Sequence, residues 1–185
     1  RGLQQGLRQW RRLDELEPVV VGAGEHHVGA AVHVYGRGDV DHREAFHAIG
    51  VIARNRPLHQ AAILGLIARG RVASMIYAFQ SPKMIAADLL ANQFAAVIAD
   101  VEDWSVEAIA AAQSCGTLGV ALDTSGLTVA LAPQLQTFSA KNYRRHPDDI
   151  AVEILSSGTT GPPKRIAVSK TIIARALEMT TASGT

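Results

Sequence analysis

Nine residues in the last fifth of the chain have the types and spacing to do chemistry: Ser156-Ser157-Gly158-Thr159-Thr160-Gly161-Pro162-Pro163-Lys164. Gly158 and Gly161 can take positive φ and let the backbone approach a ligand closely. Successive N–H groups in such a turn can converge on an anion. Ser156, Ser157, Thr159 and Thr160 add hydroxyl donors. Pro162 and Pro163 stiffen the exit by fixing φ, and Lys164 delivers a point positive charge. Many short donors, little bulk and an ammonium group suit a polyphosphate. The spacing is not that of a Walker A loop, because Pro163 stands where the second glycine belongs and Arg165 follows the lysine. The simpler reading is a hydroxyl-rich hairpin turn.

The flanking residues set the context. Residues 151–155 alternate as a strand, and Ile166-Ala167-Val168 reads as another, which makes the segment strand–loop–strand. Upstream, strands are expected at 49–53, 72–79, 95–99 and 117–122, with a short one at 127–131. Helices are expected at 58–69, from the Ser81-Pro82 cap to about 92, and from the Ser105 cap to 114. Gly70 stands just past the first of these helices. Alternating strands and helices with short links imply right-handed βαβ units and an α/β fold, with a mainly parallel sheet flanked by helices. Residues 1–17 carry Leu3, Leu7, Trp10, Leu13 and Leu16 at helical spacing. The chain divides into a poorly patterned stretch, 1–48, and an α/β unit, 49–185.

Composition narrows the function. Over 185 residues, 18 basic and 17 acidic side chains leave a net charge of +1, which argues against nucleic acid as a partner. Apolar residues at 48% and charged residues at 19% are globular values. A single cysteine, Cys115, excludes an internal disulfide. No apolar run is long enough for a membrane span, so a cytoplasmic location is expected. Only four of the 18 basic residues are lysines, which makes each one worth weighing.

On these residues the chain resembles the adenylate-forming superfamily: acyl-CoA synthetases, nonribosomal peptide synthetase adenylation domains and luciferases. Residues 156–164 are similar to its phosphate loop. Arg54-Asn55-Arg56-Pro57, the helix after it and Gly70 are similar to its asparagine–helix–glycine stretch, and the likeness runs over about 49–178. Two positions depart: Arg165 replaces the usual glycine, and Ser169-Lys170 stands where histidine is common. Arg165 is expected either to crowd the loop or to add a second cation. The resemblance implies ATP and Mg²⁺ as cofactors, a small carboxylic acid as substrate, an acyl-adenylate intermediate, and CoA or a carrier pantetheine as acceptor. It also implies roles. Ser156, Ser157, Thr159 and Thr160 would contact phosphate, and Gly158 and Gly161 would offer amides. Lys164 would bind a terminal phosphate and stabilise the leaving pyrophosphate. The family's adenine, metal-associated and acyl-pocket motifs fall after the loop, so the chain reads as an N-terminal part that is inactive alone. It is also expected to self-associate through uncovered apolar surface. The competing reading is a non-catalytic module acting through protein association.

Other features read as structural. Gly22-Ala23-Gly24 lacks the third glycine of a dinucleotide fingerprint. His26, His27, His33, His42 and His47 lack metal-site spacing. Cys115 reads as a buried, inert thiol. Arg144-Arg145-His146 reads as a solvated basic patch.

Overall fold

The computed structural model describes residues 48–68, 70–136, 143–147, 149–156 and 164–182. The N-terminal helix expected at 1–17, the Gly22–Gly24 turn and the five clustered histidines lie outside these residues. The elements are β1 (Ala48–Ala53), α1 (Pro57–Ala68), β2 (Val72–Tyr77), α2 (Pro82–Asn92), β3 (Ala96–Asp100), α3 (Val106–Cys115), β4 (Leu118–Asp123), β5 (Thr128–Leu131), β6 (Ile150–Leu155), β7 (Arg165–Ser169) and α4 (Lys170–Ala182).

The helices form where the sequence caps them. The Ser81 hydroxyl accepts from the Met84 N–H at 3.3 Å, and Pro82 opens α2. The Ser105 hydroxyl accepts from the Ala108 N–H at 3.1 Å, and Gly116, at φ 65°, ends α3 in the left-handed region that glycine enters without strain. The apolar runs between the caps become the strands. β1 and β3 are buried on both faces almost throughout, as strands under crossover helices must be.

The strands make one seven-stranded sheet in the order β5-β4-β3-β1-β2-β6-β7. β4, β3, β1, β2 and β6 run parallel, and β5 and β7 pair antiparallel at the two edges. One core packs α1 (Leu58, Ala62, Leu66) on Val51, Ile98 and Val120. The other packs α2 and α3 (Ile85, Leu89, Ala108, Ala112) on Ile52, Ile76 and Val97. Phe94 packs against β1: a Cβ on Gly50 would stand 2.9 Å from its ring, so the glycine admits the aromatic.

Two consequences of this order position the site. The chain leaves β1 for β2 on one side and returns to β3 on the other, so the carboxyl ends of β1 and β3 flank a topological switch point. β6 adds parallel to β2, so the segment after β6 emerges at that same edge, about 10 Å away at two strand spacings.

Candidate phosphate-binding site

The segment 156–164 joins β6 to β7 across an antiparallel pair that runs from Ile150↔Ser169 to Leu155↔Arg165. The segment is therefore flanked by a strand on each side, as expected. Ser156 and Lys164 are described, whereas Ser157, Gly158, Thr159, Thr160, Gly161, Pro162 and Pro163 lie outside the described residues. The two described ends close the loop at its neck. The Ser156 N–H donates to the Lys164 carbonyl at 2.8 Å, and the Lys164 N–H donates to the Ser156 hydroxyl at 3.0 Å. The Ser156 hydroxyl can still donate its own proton. Lys164 is exposed, and its ammonium is paired with no carboxylate among the described residues.

Below the neck, β2 lies beside β6. The two strands share the register pairs Ala73↔Val152 and Ser74↔Glu153. Side chains also link the two edges of this seam in both directions. The Tyr77 hydroxyl of β2 donates to the Leu155 carbonyl at 2.5 Å, and Arg165 Nη1 of β7 donates to the Met75 carbonyl of β2 at 3.1 Å. Arg165 is not a free cation. Its side chain, 10% exposed, pairs through Nη2 with Asp88 of α2 and lies over the Phe94 ring. The alternation of β7 turns position 165 to the helix-covered face, where α2 offers a carboxylate.

Arg165 borders a buried polar network. Glu153, 3% exposed, accepts from the Ser74 hydroxyl at 2.8 Å and from Arg144 Nη2 at 2.5 Å. Arg144 also donates to the Asn92 side chain, whose amide is in turn bonded to Asp88 at 2.8 Å. His146 Nε2 lies 3.4 Å from Glu153 without the alignment of a hydrogen bond. Burial pushes the His146 imidazole below its ordinary value against the pull of Glu153. The Arg144-Arg145-His146 segment is thus not a solvated patch, since two of its three side chains fold onto Glu153. The sequence signal for this was the lone glutamate at a core position of β6.

A second charged cluster fills the switch point. Arg54, just past β1, holds Asp103 through two bonds of 2.8 and 2.7 Å. Arg56 pairs with Asp100 at 2.5 Å and Glu102 at 2.7 Å, and the Thr124 hydroxyl donates to Asp100 at 2.9 Å. Burial works to raise the Asp100 carboxyl, but Thr124 and Arg56 together outweigh it and hold it below the usual range. Arg54 is held protonated chiefly by its bond to Asp103. His59 of α1 is fully buried, neither ring nitrogen has a partner, and burial lowers its pKa. Cys115 is buried, its thiol 3.8 Å from the Leu89 carbonyl. Among the described residues, no three His, Cys, Asp or Glu side chains form a metal-binding group, and no helix is long and apolar enough to cross a membrane.

Residues 40–183 match the family described as AMP-binding enzyme. The chain belongs to that family. Solved structures agree in fold. ATP-bound MatB from Rhodopseudomonas palustris is 15% identical, with a TM-score of 0.56, over 72% of this chain and 27% of that one. The apo form of the same protein gives a TM-score of 0.54 at 15% identity, over 72% of this chain and 26% of that one. An ATP-bound RpMatB-BxBclM chimera gives 0.56 at 15% identity, over the same shares. This chain therefore spans about a quarter of the length of these relatives. Among curated proteins, none matches it in sequence.

Proposed function

We propose that this AMP-binding family chain supplies the loop that holds the β- and γ-phosphates of ATP in a ligase joining a carboxylic acid to CoA or a carrier thiol through an acyl-adenylate. The observation that carries the reading is the neck at the carboxyl edge of the parallel strands, where Ser156 and Lys164 are bonded to each other and the lysine side chain is left exposed. That edge is where open α/β sheets take ligands. Ser157, Gly158, Thr159, Thr160 and Gly161 complete the donor set in this proposal. Lys164 stabilises charge as pyrophosphate leaves. The donors fit phosphate oxygens. Mg²⁺ would be carried on the phosphates of the nucleotide. In this proposal the unit at 49–185 does not complete the reaction by itself, since the chain spans about a quarter of the length of its solved relatives.

The test is thermal protection of the chain by ATP or pyrophosphate. The expected result is a raised melting temperature that Lys164→Ala abolishes. Absence of protection at millimolar ATP would favour the other reading, a non-catalytic module that works by association. The uncovered apolar pair Ile154 and Ile166, 41% and 48% exposed on adjacent strands, is the observation that keeps that reading in view.

A further inference from the structure

β2 lies beside β6 beneath the loop neck, and two side chains cross this seam in opposite senses. Tyr77 reaches from β2 to the carbonyl of Leu155, the residue before Ser156. Arg165, the residue after Lys164, reaches back from β7 to the carbonyl of Met75. Each bond fixes a residue adjoining one end of the loop. Asp88 and the Phe94 ring hold the Arg165 guanidinium in its fork. Strand alternation places Tyr77 on the α1 face and Arg165 on the α2 face, so the neck is gripped from both sides of the sheet.

We infer that Tyr77 and Arg165 are positioning residues for the phosphate loop. They touch no ligand themselves. They set the height and tilt of Ser156 and Lys164, whose donors must all meet one polyphosphate. The role of Arg165 explains how the chain accommodates a bulky side chain immediately after the motif lysine. The inference rests on the phosphate-binding reading above. A displacement of about 1 Å at a site of converging donors is enough to lower affinity.

The experiment compares the full 185-residue chain with Tyr77→Phe, Arg165→Lys and Lys164→Ala, titrated with tripolyphosphate in a calorimeter. Tyr77→Phe removes one hydroxyl. Arg165→Lys keeps the charge near Asp88 but loses the fork that serves Asp88 and Met75 together. Each is expected to weaken binding about fivefold, the value of one hydrogen bond. In both, amide hydrogen exchange should quicken at Ser156 and Lys164 and stay unchanged in β1 and β3, which a general loss of stability would not produce. Tyr77→Phe carries the test alone if Arg165→Lys does not fold. Binding by both variants at the affinity of the parent chain, with Lys164→Ala still defective, overturns the inference and leaves the phosphate reading standing. No binding by the parent chain, or equal binding by Lys164→Ala, overturns both.

Discussion

His59 and Glu153 are both buried polar residues, and they behave oppositely. Glu153 is satisfied by Ser74 and Arg144, whereas both nitrogens of His59 are without partners. Replacing His59 with leucine removes an unsatisfied group at similar volume, and is expected to stabilise the fold by about 1 kcal/mol. Removing Arg144 does the reverse. It strips a charge partner from a carboxylate inside the sheet face, and Arg144→Ala is expected to cost about 3 kcal/mol in urea denaturation. The histidines also set a pH dependence. Burial lowers both His59 and His146 in the fold, so the unfolded chain takes up protons first, near pH 6.5. Stability should be full above that pH and decline as pH falls below it. Urea midpoints measured from pH 7.5 to 5.5 should show the decline, and His59→Leu should shallow it.

At the scale of elements, the sequence foretold what local chemistry encodes. Ser81-Pro82 and Ser105 mark helix starts because their hydroxyls cap free N–H groups, and Gly70 and Gly116 mark ends because both sit at positive φ. β1 through β4 were legible as apolar runs between those marks. The end of β2 was read two residues too long, since Ala78 and Phe79 continue the apolar run but turn out of the sheet. Helix α4 was missed. No glycine or proline separates it from β7, although Ile172, Ile173, Ala176 and Leu177 recur at helical spacing. The Ser169 hydroxyl, accepting from the Ile172 N–H at 3.2 Å, is the cap that could have found it. The motif at 156–164 stands out by composition and spacing, but Tyr77, Asp88 and Arg144 reach the hairpin from 9 to 78 residues away, and no local pattern encodes such pairings. A cap prediction tests this scale: Ser105→Ala should destabilise by about 1 kcal/mol in thermal melts.

At the scale of the molecule, the α1 face is covered over β1 through β4 but leaves Ile154 and Ile166 exposed as a cross-strand pair. β7 forms one edge of the sheet, and an uncapped apolar edge invites pairing. The isolated chain is accordingly expected to sediment as a concentration-dependent oligomer, and Ile166→Lys should return it to monomer. Monomeric sedimentation of the parent chain at all concentrations would refute this.

The position of the β6–β7 hairpin has a bearing on how the molecule comes apart. It stands at one end of the sheet and meets the remaining strands along β2 alone, with side-chain bonds added to that seam. Such a hairpin is a cooperative unit of its own, able to open while β1 through β4 stay closed. Its rupture would be the lowest rung of the unfolding ladder. On the phosphate-binding proposal, an anion held at its tip would act first on that rung and raise the cost of opening the hairpin.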